Sequence, residues 1–200
     1  MDISWITTRH PPDRGGMAES SRRIVNGLRD AGHRVTVVHI SPSRPPAEMR
    51  ELIVGSPEES AEPERLFWTR RPLLEGSVLA GFGGNEAGYY ATLWAAWLGA
   101  PSAVLFRGND FDRNIHDMRR AWMTHFILDR AGAVGAVSAE MAARIRSLRA
   151  GPVMVTHNGI DCAAFAALPR DAEDASRIRN TRFPGDAPVA GMFGELKAKK

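Results

Sequence analysis

Gly15 and Gly16 stand between an apolar run, Ile3–Thr7, and a stretch from about Met17 to Ala31 with apolar residues at helical spacing, Ile24, Val25 and Leu28. Two glycines ahead of a helix let the backbone approach a ligand closely. The helix start presents unpaired N–H groups and a partial positive charge, so the chemistry on offer is binding of an anion such as a phosphate. Arg9, His10 and Arg14 add positive character to this loop. The alternative is a tight turn into the helix with no ligand. Two further constellations gather polar residues behind apolar runs. Arg107-Gly108-Asn109-Asp110 opens what reads as a charged polar loop through Asn114. Arg107 and Asp110 either face a ligand there or close their own loop as a salt bridge. Asn158-Gly159 follows another apolar run, and both residue types tolerate left-handed geometry, so a turn and a ligand loop both fit.

The elements that must position these groups follow from periodicity. Gly32 stops the first helix, and Arg34–His39 begins a second strand. Ser77–Phe82, Ser102–Phe106, Ala133–Val137 and Val153–Thr156 read as further short strands. Helices are expected over Ala87–Leu98, with Tyr90, Leu93, Trp94 and Trp97 in the core, and over Met118–Ala131, with Trp122, Phe126 and Ile127 inward. Ser138 suits the N-cap of a helix over Ala139–Leu148. Ser41–Glu64 reads as a surface connection with a short helix near Ala47–Val54, and Arg65–Thr69 as a short edge strand. At least six short apolar strands alternating with helices predict an α/β fold: a doubly wound, mainly parallel sheet covered by helices on both faces. Ligands in such sheets bind outside the carboxyl ends of the strands, where all three constellations fall. Asp171–Arg182 reads as a polar helix or linker, and Pro188–Gly194 as the start of a new apolar strand. The expected organisation is one domain over 1–168, a linker over 169–187, and the first strand and loop of an incomplete second domain over 188–200.

Composition narrows the function classes. The chain has 200 residues, 44% of them hydrophobic, and a net charge of +3. No concentrated basic face with interleaved aromatics is present, so a nucleic-acid partner is not expected. One cysteine, Cys162, excludes an internal disulfide and fits a reducing compartment. The strand pattern begins at Ile3, where a secretory leader would stand, so a cytoplasmic protein is expected. The six histidines lack metal-ligand spacing, and no cofactor or metal is expected. No Gly-x-Ser-x-Gly nucleophile turn occurs. A dinucleotide-binding oxidoreductase would need Gly-x-Gly-x-x-Gly after the first strand and an acid ending the second. The first loop lacks the glycine pattern, His39-Ile40-Ser41 lacks the acid, and Gly81-Phe82-Gly83 meets Glu86 where the last glycine belongs.

Taken together, four stretches resemble the family 4 glycosyltransferases, retaining and nucleotide-sugar-dependent enzymes of the two-domain GT-B fold. They are Arg14–Glu19 with Gly32–Val37, Phe106–Asp110, Val137–Glu140, and Thr156–Asp161 with Phe165. The order and spacing of these motifs carry the resemblance, which covers the N-terminal half of that fold and, from Gly194, the start of the donor-binding domain. It implies a sugar passed from a nucleotide-sugar donor to a sugar, lipid or small-molecule acceptor. It implies that Gly15, Gly16, Asn158 and Gly159 face the interdomain cleft and that Lys200 binds the donor diphosphate. Asp110 matches an acid that commonly follows a cleft-facing histidine; here Arg107-Gly108-Asn109 occupies that stretch, which makes Arg107 and Asp110 the candidate catalytic pair. Glu195 stands where a diphosphate-binding arginine is usual. The family's paired donor-sugar glutamates lie beyond Lys200, so the 200-residue piece is expected to be inactive alone. The other function class is a non-catalytic binding domain of the same fold. Many relatives act at membranes; Arg22, Arg23, Arg119 and Arg120 fit either peripheral contact with anionic lipid at the inner membrane face or ordinary solvated faces.

Overall fold

In the computed structural model the described residues are 1–40, 52–54, 63–159, 162 and 166–190. The chain divides into two compact units, Met1–Asn158 and Gly159–Lys200.

The first unit is built on one all-parallel sheet. Its strands among the described residues are β1 (Asp2–Thr7), β2 (Arg34–His39), β3 (Leu52–Val54), β4 (Val78–Phe82), β5 (Ser102–Phe106), β6 (Ala133–Ala136) and β7 (Val153–Val155). They lie in the order β3-β2-β1-β4-β5-β6-β7. The reversal between β1 and β4 is the switch point of a doubly wound sheet, so the expected α/β class holds. Helices α1 (Gly16–Asp30), α2 (Pro63–Leu74), α3 (Glu86–Leu98), α4 (Asn109–Ile115), α5 (Ala121–Arg130) and α6 (Ala139–Arg146) cover it.

Alternation along the strands splits the core. Ile3, Trp5, Val35, Val37 and Phe82 pack with Val25 of α1 on one face. Ile6, Val38 and Leu79 pack with Phe67, Leu74 and Trp94 of α2 and α3 on the other. A third cluster joins Val104, Phe106 and Val134 to Phe111, Ile127 and Ile145. Period-two burial on strands meeting period-3.6 burial on helices is what two-sided coverage requires.

Four local expectations are corrected. Residues 65–69 are helical, not an edge strand: Phe67 and Leu74, seven apart, are both buried and share one helix face. Near Ala47–Val54 the described part, Leu52–Val54, is a strand paired with Val37–His39; the rest of Ser41–Glu64 up to residue 62 lies outside the described residues. The loop expected after Arg107 turns into α4, whose Phe111 is drawn into the core against Phe106, with ring centroids 5.5 Å apart. Trp122 is 53% exposed and Trp97 44% exposed, so the inward stripes of their helices are narrower than periodicity suggested. The strand expected from Pro188 falls mostly on residues 191–200, outside the described residues, as do Gly194, Glu195 and Lys200.

In the second unit the described element is helix α7 (Pro169–Arg182), with no buried residues. It starts on Pro169, whose missing N–H costs nothing at that position, and Asp171 accepts the Leu168 N–H at 2.6 Å. Among the described residues, no helix is long and apolar enough to cross a membrane.

Candidate functional site

The carboxyl ends of β1, β5 and β7 frame an open cleft of about 590 Å³, lined by Gly16, Met17, Glu19, Ser20, Arg23, Arg107 and Asn158. Five of these residues lie on α1. Positions 16, 19, 20 and 23 share one face of a helix, so a single element delivers them together.

The start of α1 is bare. Gly15 takes the N-cap with φ 117°, a left-handed value that favours glycine, and no side chain caps the helix. The first backbone bond of the helix runs from the Glu19 N–H to the Gly15 carbonyl at 3.1 Å. The N–H groups ahead of it point out of the helix end, as at any uncapped N-terminus.

Arg107 reaches the cleft from the end of β5. Its Nη2 donates to Ser20 Oγ at 2.5 Å and to the Oδ1 of Asn158, while the guanidinium carbon sits 5.3 Å from the centre of the Phe82 ring. One side chain thereby ties α1, β4 and the loop after β7 together. Burial lowers the Arg107 pKa; the charge of Asp110 opposes the fall, and that of Arg23, a smaller effect, adds to it.

Asp110 lies beneath Arg107 and does not line the cleft. No ion pair joins the two among the described residues, which corrects the salt-bridge alternative. Instead the Asp110 carboxylate accepts the backbone N–H of Gly84 at 2.8 Å, of Arg107 at 2.9 and 3.0 Å, and of Phe111 at 3.0 Å. Burial raises its pKa and these donors oppose the rise. Asn114 adds a bond from Nδ2 to the Gly84 carbonyl at 3.1 Å. The glycine-rich turn after β4 is thus filled by the protein's own acid. Gly84 also has no room for a side chain, since a Cβ there would lie 1.9 Å from Phe106.

A buried polar cluster supports the glycine loop, and sequence reading missed it. His39, at the end of β2, places Nε2 3.3 Å from Asp13 Oδ2. His10 Nδ1 meets Ser21 Oγ at 2.9 Å, and the Trp5 indole N–H donates to the same oxygen at 2.9 Å. Burial, with the nearby His39 second, pushes the His10 pKa down to about 4. Burial also lowers that of His39, opposed by Asp13. The loop is pinned at one end to β2 and at the other to α1. The faint signal was Ser20-Ser21 inside an otherwise good helix, where serines contribute nothing unless they bond to something.

The sequence candidates thus separate. Gly16, Arg107 and Asn158 line one cleft, Gly15 caps its helix, and Asp110 braces Arg107. Gly159 is exposed and begins the second unit. Among the described residues, no group of three His, Cys, Asp or Glu could hold a metal ion.

Residues 14–164 match the family model for Glycosyltransferase Family 4. Among curated proteins, the chain is 25% identical over 225 aligned residues to a GDP-mannose-dependent alpha-mannosyltransferase of Mycolicibacterium smegmatis. The alignment takes in 100% of this chain and 58% of that relative, so the chain spans little more than half the relative's length.

Proposed function

The chain belongs to glycosyltransferase family 4, and on that premise we propose that it is the acceptor-side half of a retaining, nucleotide-sugar-dependent glycosyltransferase of the GT-B type. The observation that supports this best is the cleft where Gly16, Arg107 and Asn158 meet at the carboxyl edge of the sheet. Glycosyl transfer from a nucleotide sugar leaves negative charge on the departing diphosphate. The uncapped start of α1 supplies N–H groups for that charge, and Arg107, immobilised by Ser20, Asn158 and Phe82, supplies a fixed cation. On this reading these donors meet the diphosphate charge without a metal, and Lys200 is assigned a share of that role from its place in the sequence alone. Gly159 is assigned to the same ligand loop from its place next to Asn158 in the sequence. Residues 169–187 serve as the linker to a donor-binding domain that begins at about 188, and residues 1–200 alone do not turn over substrate. GDP-mannose is the first donor to try, since the Mycolicibacterium relative is named for it.

The test is a thermal-shift screen with UDP, GDP, ADP and their sugars, on this chain and on a version extended through the next domain. Stabilisation of the extended protein by one nucleotide family is the expected result. Stabilisation of the short chain by NAD or NADP, with no response to nucleotide sugars, would overturn it.

A further inference from the structure

The rows of the sheet that face α1 are apolar, with Ile3 and Trp5 on β1 and Val35 and Val37 on β2. At the carboxyl edge they change character. Thr7 and His39 take the next places in the two rows, paired in register across β1 and β2 and both fully buried. Each turns to the loop that leads into α1. Thr7 Oγ1 donates to the Arg9 carbonyl at 2.9 Å and accepts the Arg9 N–H at 3.0 Å. His39 Nε2 faces Asp13 Oδ2 at 3.3 Å, and neither atom reaches solvent. The Asp13 N–H closes a turn on the His10 carbonyl at 2.9 Å. Asp13 stands two residues ahead of Gly15, the N-cap of α1.

An imidazole and a carboxylate in a core are a poor way to gain stability. Taking both out of water costs about what their attraction returns, and apolar side chains of similar volume do as well or better. A leucine in place of His39 would simply extend the row of Val35 and Val37. A donor facing a carboxylate does something an apolar contact does not: it fixes one distance and one direction. Here it fixes them for a loop that ends in two glycines, whose backbone has the most freedom to wander. Arg9 adds little, since its Nη1 lies 3.7 Å from the same Asp13 oxygen and its side chain is 61% exposed. On the other side of the loop His10 meets Ser21 Oγ, and neighbouring Ser20 holds Arg107. Loop, helix start and cleft arginine share one buried frame, and the contact of His39 with Asp13 is the part of it that reaches β2.

We propose that Asp13 and His39 are positioning residues for the reaction: the pair holds the Gly15–Gly16 turn so that the start of α1 stays aimed at the cleft that Gly16 and Met17 line. The assignment rests on the glycosyltransferase reading above, in which the N–H groups at that helix start meet the charge of the departing diphosphate, and it adds the residues that aim them. Neither side chain touches the substrate.

Three variants test it. The double variant Asp13→Leu, His39→Leu removes the pair without leaving a lone buried polar group. His39→Leu alone leaves Asp13 unpaired, and His39→Gln keeps an N–H donor near the place of Nε2. In the 200-residue chain the double variant should melt within about 3 °C of wild type, and His39→Leu below both. Amide exchange over residues 9–19 of the double variant, read by mass spectrometry, should quicken about tenfold or more, and in His39→Gln it should stay within about threefold of wild type. In the extended protein, calorimetric titration with GDP, or with UDP or ADP where that nucleotide is the one that stabilises it, should show affinity about tenfold weaker in the double variant and largely recovered in His39→Gln. Wild-type exchange over 9–19 in the double variant overturns the proposal. So does exchange raised evenly across the strands, or a melt far below wild type, since the pair then carries stability and not aim. A loss of nucleotide affinity that His39→Gln does not recover overturns it as well. An extended wild-type protein that answers to no nucleotide or nucleotide sugar is a different failure: it removes the glycosyltransferase reading, and this assignment with it, whatever the loop exchange shows.

Discussion

Truncating Asp110 to alanine removes the acceptor shared by three backbone N–H groups, those of Gly84, Arg107 and Phe111. These donors belong to the turn after β4, the end of β5 and the first turn of α4, so three segments lose their common anchor. An N–H left without a partner costs about 1–3 kcal/mol. The site is partly buried, so water reaches the gap and the lower end applies, giving about 3 kcal/mol in all. In a domain of this size that is a fall in melting temperature of about 6–12 °C. Asp110→Asn keeps one acceptor oxygen and should lose less than half as much. The pH dependence adds a second readout. Burial raises the Asp110 pKa in the fold above its ordinary 3.8. The folded state therefore holds the proton more tightly than the unfolded chain. That stability is present below the unfolded pKa and is lost as pH rises through the folded one, and Asp110→Asn should abolish the slope. Calorimetric melts of the three proteins from pH 3 upward make the measurement. An alanine variant melting within about 2 °C of wild type would refute the anchoring role.

Four further outcomes follow from the same geometry. His10→Asn should flatten an acid limb: the folded-state pKa is about 4 against an ordinary 6.5, so wild-type stability is present above 6.5 and is lost as pH falls through 4. Melting temperatures across that window check it. Gly84→Ala should destabilise the domain by about 2 kcal/mol or more, since the new methyl meets Phe106 rather than open space; chemical denaturation reads the loss. Arg149→Met should cost about 2–4 kcal/mol, because a buried guanidinium caps the carbonyls of Leu128, Ala131 and Gly132 at 2.8, 2.8 and 3.2 Å. A melt at neutral pH suffices. In the extended enzyme, chelation with EDTA should leave turnover unchanged, and a loss restored by a divalent ion would show that the N–H and arginine donors do not meet the diphosphate charge alone.

How much of this was legible beforehand depended on the range of each interaction. The strands of the sheet were readable because a strand buried on both faces must be apolar throughout, as Val134–Ala136 and Val104–Phe106 are. The glycine loop was readable because a positive φ at Gly15 and a helix start are local events. Arg65–Thr69 was misread because Phe67 and Trp68 favour strands by propensity, and only packing on Trp94, with ring centroids 5.9 Å away, selects the helix. Trp122 looked like core for its size, yet it lies at the edge, its indole N–H bonded to the Arg119 carbonyl at 3.0 Å. Asp110 was noticed for its type and assigned to chemistry. Its main partner, the Gly84 N–H, is 26 residues away, and no spacing rule connects them. Asp13 and His39 were invisible for the same reason: a loop acid meets a strand-end histidine only once β1 and β2 lie side by side.

The end of β4, the turn after it and the first turn of α3 carry Gly81, Gly83, Gly84 and Gly88 within eight positions. A Cβ on Gly81 would come within 2.6 Å of the Gly88 Cα, and one on Gly88 within 2.5 Å of the Gly83 carbonyl. Strand and helix press together there with no space between them. A side chain at Gly81, Gly84 or Gly88 would have nowhere to go, so substitution there is opposed by packing alone. An alignment of relatives would display them as an invariant signature, and invariance of that kind records crowding. The positions free to diverge with the substrate are the solvent-facing ones on α1, and it is their variation, not the fixed glycines, that should track what each member of the family glycosylates.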